Sequence, residues 1–166
     1  MTGLDATAVL GVETIDLDLD DRQLASKNDL FRRLALLLEG AGRLESASAF
    51  VHDVQERESL TSTYMENGVA VPHARSSAVR VPSIAFGRSL EGIRYGDDES
   101  APLARLVFML AVPATVSSAE YMSMLAMLAR LLMHAAFREN LTQARTAQDV
   151  LDAVERASAR REGNVA

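Results

Sequence analysis

The chain has 166 residues, 48% of them hydrophobic and 24% charged, with a formal charge of −6 and no cysteine. That length and balance fit one domain with a full hydrophobic core. They exclude disulfides, thiolate catalysis and cysteine-ligated zinc, and an acidic chain without a basic run argues against nucleic acid as a main partner. Thr14 to Asp20 alternates apolar and acidic residues, as a half-buried strand does. Ser26 is placed to cap a helix through Leu30, Phe31, Leu34, Ala35, Leu37 and Leu38, which Gly40 and Gly42 stop. A second helix is expected from Ser46 to about Leu60, with Phe50, Val51 and Val54 inward. Thr61 to Val81 lacks a long period and reads as strand and loop.

Ser83–Arg88 and Leu106–Val112 read as strands on either side of a polar turn at Gly96 to Glu99. The second is apolar at nearly every position, so it belongs at the sheet centre, covered on both faces. Ser117 opens a long helix with a capping-box pattern to Glu120, and its inward stripe is Tyr121, Leu125, Leu128 and Leu132, with Met124 and Leu131 beside it. A further turn at Phe137 to Leu141 and a last helix from Ala147 to Ala159 follow, with a frayed tail after Arg160. Alternating strands and helices predict one three-layer α/β domain, a mixed central sheet flanked by helices, with its core at about 10–158. The first residues lack the basic start and apolar stretch of a signal peptide. The most apolar run, Ala101 to Pro113, is interrupted by Arg105 and falls short of the ~20 residues that span a bilayer. A cytoplasmic protein without direct membrane insertion is the expectation.

The catalytic inventory is short. No HExxH pattern, Gly-rich phosphate loop or serine elbow occurs, and the acidic groups at Asp18, Asp20, Asp21 and at Asp97, Asp98, Glu99 read as solvated runs. Of the three histidines, His52 reads as a solvated helix residue and His134 as one near a helix end. His73 differs. It follows Pro72, whose ring limits the local backbone, and Arg75 lies two positions on. A positioned neutral imidazole beside a guanidinium suits a nucleophile that accepts a phosphoryl group. Arg57, near the end of the second helix, and the hydroxyls of Ser62 and Thr63 can converge on the same turn as phosphate-binding groups, with Arg75. The methionines Met122, Met124 and Met127 read as core filling.

These residues carry a resemblance. Arg57-Glu58, Ser62-Thr63 and Gly68-Val-Ala-Val-Pro-His73-Ala-Arg75, continuing through Ser76–Arg88, Glu91-Gly92, Leu106–Pro113, Leu125–Arg130 and Phe137–Leu141, resemble the signature of the fructose- and mannitol-type enzyme IIA domains of the bacterial sugar phosphotransferase system. The resemblance covers nearly the whole chain and is strongest to the fructose-type branch, which includes nitrogen-regulatory relatives. It implies a phosphohistidine at His73, loaded by the histidine-containing phosphocarrier protein and unloaded onto a IIB component. It places Arg57 where the family's arginine holds the phosphoryl group, and implies no cofactor and no metal. One departure stands out: the family's second histidine, at the start of the long helix, is matched here by Tyr121, with Glu120 opposite under a one-residue slip. Tyr121 either donates a hydrogen bond to the phosphoryl group or is the first core residue of its helix. Three readings follow: a sugar phosphocarrier, a stand-alone regulatory module that binds protein targets according to its phosphorylation, and a degenerate relative.

Overall fold

Five strands form one mixed sheet between two helical layers. In a computed structural model, which describes residues 9–163, the chain opens with a short strand β1 (Ile15–Asp16) and two helices, α1 (Lys27–Gly40) and α2 (Ala47–Leu60). Next come β2 (Val69–Ala70), β3 (His73–Ser76) and the long hairpin of β4 (Ser83–Arg94) and β5 (Leu103–Pro113). Three helices close the chain: α3 (Ser118–Leu132), α4 (Ala135–Gln143) and α5 (Ala147–Gly163). β4 and β5 run antiparallel, β1 lies parallel on the outer side of β4, and β2 and β3 both lie parallel along the free side of β5.

Serine side chains cap three of the helix starts, Ser26 and Ser117 as expected and Ser46 one position before the helix it was expected to begin. The side chains of Ser26, Ser46 and Ser117 accept hydrogen bonds from the amides of Asp29, Ala49 and Glu120, satisfying donors that the first helical turn leaves free. α1 and α2 cover one face of the sheet, with Leu34, Phe50 and Val54 fully buried against Ala85 and Met109. α3, α4 and α5 cover the other, where Phe108 stacks on Phe86 at 4.6 Å and meets Phe137 at 6.4 Å. Burying side chains of this size contributes about 1.5–3 kcal/mol each. β5 is buried almost throughout because both its faces are covered. At Gly87 a methyl group would lie 2.6 Å from a Leu19 methyl carbon, so only glycine lets α1 and the Leu19 turn approach β4 this closely.

The sequence expectations need adjusting in three places. The strand expected over Thr14–Asp20 shrinks to Ile15–Asp16, flanked by 3-10 turns at Val12–Thr14 and Leu19–Arg22, and it is Thr14 and Asp16 that are buried rather than Ile15 and Leu17. Alternation fails there because the Thr14 hydroxyl donates to the Ile84 carbonyl, while Asp16 takes ion pairs from Arg22 and Arg33. The turn at Phe137 to Leu141 is a nine-residue helix. The last helix reaches Gly163, past the expected fraying point at Arg160, and residues 164–166 lie outside the described residues.

Candidate phosphoryl-acceptor site

The site grows from an interrupted edge strand. Asn67 and Gly68 both have positive φ, 59° and 76°, as a two-residue hairpin turn with its twist matched to the strands demands, and the Val69 amide closes the turn on the Glu66 carbonyl. The chain returns beside Tyr64 and then lies along β5. β2 and β3 keep one register on that strand: Val69 pairs with Leu106, Ala70 with Val107 and His73 with Leu110. They are one strand broken at Val71-Pro72, because Pro72 has no amide to give the ladder. Its carbonyl still accepts from the Leu110 amide.

Val71 faces the open side of this edge. Its amide donates to the Thr63 carbonyl, and its own carbonyl is taken by the His73 ring at 2.7 Å from Nδ1. A carbonyl only accepts, so the proton sits on Nδ1 and the lone pair on Nε2. His73 is 7% exposed. Burial pushes its pKa below the ordinary 6.5; the Val71 carbonyl pulls it back up, the Arg57 guanidinium depresses it, and Glu58 raises it. The imidazole is therefore neutral at pH 7, with Nε2 unprotonated.

Alternation along β3 decides what surrounds this nitrogen. Ala74 and Ser76 point into the α1–α2 layer, where the Ser76 hydroxyl donates to Asp53 of α2. His73 and Arg75 point the other way, towards α3. The Tyr121 ring meets the His73 ring edge-on, with centroids 5.8 Å apart and planes at 66°. Burial pushes the Tyr121 phenol up to about 12, against the opposing pull of Arg57 and Arg75, so its O–H remains a donor across the physiological range. Arg75 is anchored at the start of α3, donating to the Val116 carbonyl at 3.0 Å and to the Ser118 hydroxyl at 3.2 Å. Arg57, in the last turn of α2, donates to the Thr61 carbonyl at 3.0 Å. The arrangement is a free ring nitrogen, a phenol and two anchored guanidiniums, a set whose fixed positive charge is able to balance an anion.

Residues 9–157 match the family described as Phosphoenolpyruvate-dependent sugar phosphotransferase system, EIIA 2. The chain belongs to this family. Over 149 residues it is 34% identical to the PTS system fructose-specific EIIA component of Haloferax volcanii, covering 90% of this chain and 96% of that one. Longer relatives contain such a segment as a minor part, the chain spanning 22% of one and 20% of another. Among solved structures, Nitrogen Regulatory Protein IIA-Ntr from Neisseria meningitidis aligns with a TM-score of 0.77 at 30% identity, covering 89% of this chain and 97% of that one. The enzyme IIA mannitol subunit from Escherichia coli, in its complex with phosphorylated enzyme IIB mannitol, aligns with a TM-score of 0.71 at 27% identity, over 87% and 96% of the two chains.

Within this EIIA fold, Ser62 and Thr63 are both engaged in local hydrogen bonds. The Thr63 hydroxyl is buried, donating to Glu58 Oε2 at 2.6 Å and lying 2.6 Å from the Tyr95 hydroxyl, and its amide donates to Glu58 Oε1 at 3.0 Å. Ser62 accepts from the Tyr64 amide, holding the turn. Glu58 is what draws Thr63 inward: a buried carboxylate needs donors, and the Tyr95 hydroxyl at 3.4 Å and Lys27 at the start of α1, 3.5 Å away and over the Tyr95 ring, supply others. The Val71 carbonyl and Glu58 are the contributors that residue patterns did not assign. The first leaves no side-chain signal; the second was visible only as the neighbour of Arg57. His52 is exposed with its Nε2 3.2 Å from Glu56, and His134 is the residue before α4, without a side-chain capping bond. Of the helix methionines only Met127 is core; Met124 is half-buried and Met122 is 62% exposed. Among the described residues no helix is long and apolar enough to cross a membrane.

Proposed function

We propose that this domain is a phosphocarrier in which Nε2 of His73 attacks a phosphoryl group on the histidine-containing phosphocarrier protein and later yields it to a IIB component. A new P–N bond forms as the donor's P–N bond breaks, and the departing imidazole takes the electron pair. The acceptor nitrogen carries no proton, so loading needs alignment and charge stabilisation more than acid–base help. The observation that carries the reading is the bond from Nδ1–H to the Val71 carbonyl, which fixes the tautomer and aims a lone pair rather than a proton outwards. Arg57 and Arg75 hold the phosphoryl oxygens, and the Tyr121 hydroxyl donates to them in place of a second histidine. Two exposed apolar side chains beside site residues, Leu60 near Arg57 and Met122 next to Tyr121, suit docking of transient partners. The domain, with its core at about 10–158, works as one unit in the cytoplasm, without metal or organic cofactor.

The similarity to a nitrogen regulatory protein favours a second reading in which the phosphorylation state of His73 selects a protein target rather than feeding a transporter. Both readings need a working phosphohistidine. With purified enzyme I, phosphocarrier protein and phosphoenolpyruvate, the wild type acquires an acid-labile phosphate and His73→Ala does not; equal labelling of the two would refute the assignment. Transfer onward to a purified IIB domain then separates the carrier from a regulatory end point.

A further inference from the structure

A second concavity lies on the α3–α4–α5 layer, away from the histidine. It has a volume of about 510 Å³, and its floor is apolar, formed by Leu131, Phe137 and Ala157 among others. Three arginines line it: Arg130 from α3 and Arg156 and Arg160 from α5, with His134 between α3 and α4. Among the described residues no Asp or Glu lines it. This concentration of cations stands in a chain of net charge −6. Among the described residues none of the three guanidiniums has an ion-pair partner; Asp152, one turn before Arg156, instead accepts from Gln148 at 3.0 Å. The α5 residues Ala153, Arg156, Ala157 and Arg160 fall on one helical face, which places the cations at the edge of the apolar floor.

We propose that this cavity binds a small organic anion with an aryl or medium-chain alkyl body, its carboxylate, sulfonate or phosphate head held by Arg130, Arg156 and Arg160 and its apolar part seated on Phe137 and Leu131. Size, concavity and a few convergent charges over an apolar floor are what such a ligand requires, and the volume lies within the usual range of roughly 300–1,000 Å³. Arginine suits the head group because its planar fork binds such oxygens two at a time. Tyr121 and Arg130 are separated along α3 by roughly 14 Å at 1.5 Å per residue, so the ligand would not compete with phosphoryl transfer at His73. The proposal is independent of that transfer reading.

The test uses anilinonaphthalene sulfonate as the anionic probe and phenylnaphthylamine as the uncharged molecule with the same aromatic body. The full chain should show saturable, one-to-one fluorescence enhancement with the sulfonate and weaker binding of the amine. Arg130→Gln and Arg156→Gln, both at exposed positions, should each weaken sulfonate binding by about tenfold with unchanged melting temperature. Ala157→Phe, which fills the floor, should weaken both probes. Equal affinity for the two probes, or undiminished sulfonate binding in the arginine variants, would overturn the proposal. Binding of an acidic helical peptide without any binding of the sulfonate would also overturn it and assign the cavity to a protein interface.

Discussion

At the scale of single residues, the state of His73 follows from one backbone carbonyl and from burial. The folded pKa lies below the ordinary 6.5, so the unfolded chain binds the proton more readily. The neutral ring's contribution to stability is therefore fully present above pH 6.5 and is lost as pH falls towards the folded value. A ring-resolved NMR titration should give a His73 midpoint below 6.5, and urea melts between about pH 7 and 5 should show a steeper loss for the wild type than for His73→Gln. Parallel losses in the two proteins would mean that His73 titrates as it does in the unfolded chain. Tyr121 poses the sharper question. Its phenol is a protonated donor throughout this range, and its ring touches His73. Tyr121→Phe keeps the ring contact and removes only the hydroxyl, so it should slow loading by about ten- to a hundredfold, as expected when a hydrogen bond to a charged group is lost. An unchanged rate in single-turnover phosphorylation would reduce Tyr121 to the first packed residue of α3. Tyr121→His then shows what the family's usual side chain adds: a large gain would mark the native site as impaired.

At the scale of elements, the helices and the central hairpin were legible because local signals agree with the tertiary fold. Ser26 and Ser117 cap where expected, and the continuous apolar run of β5 read correctly as a strand covered on both faces. β1 was not legible in register, since Asp16 is buried through Arg22 and Arg33, which lie beyond any local pattern. There burial alone would raise the Asp16 pKa, but the Asp18 amide and the two arginines hold it below the usual value. The hold of Pro72 on the local backbone was legible, but the break it makes between β2 and β3, and the carbonyl left for the His73 ring, depend on these strands lying at a sheet edge. Arg57, Ser62, Thr63, His73, Arg75 and Tyr121 were read together as the candidate site; in the fold the Tyr121 ring meets the His73 ring, Arg57 lies close enough to bias both, and Arg75 lies close enough to bias Tyr121. Thr63 was not separable from Ser62 in sequence, because the partner that claims it, Glu58, shows only as a helix-terminal acid. That difference is testable. Thr63→Val removes a donor from a buried carboxylate and should cost about 1–3 kcal/mol in urea unfolding. Its loading rate at a temperature where it remains folded should stay near wild type; a large rate loss with little loss of stability would instead return Thr63 to the phosphate.

At the scale of the whole molecule, the site exists only when three layers meet. Arg57 comes from the α1–α2 layer, His73 and Arg75 from the sheet, and Tyr121 from the α3–α5 layer, so anything that loosens either layer disperses the charges that would meet a phosphate. The back layer is tied to the sheet by a buried cation. Arg88 of β4 donates through Nη1 to the carbonyls of Leu141, Thr142 and Ala144, three acceptors at the end of α4, which a helix terminus otherwise leaves unpaired. Its Nε has no partner among the described residues, so the guanidinium is held by one nitrogen's bonds and by packing. Arg88→Met keeps most of the volume and strands those carbonyls, with an expected loss of about 2–4 kcal/mol. Hydrogen exchange should show that loss as faster opening of α4 and α5, whose packing against β4 and β5 depends on the tie. Protection in α2, on the other side of the sheet, should fall only as far as global stability falls. Because Arg88 touches none of the site residues, the folded fraction of the variant should load phosphate at the wild-type rate. A rate loss larger than the loss of folded protein would show instead that the back layer sets the position of Tyr121 against His73.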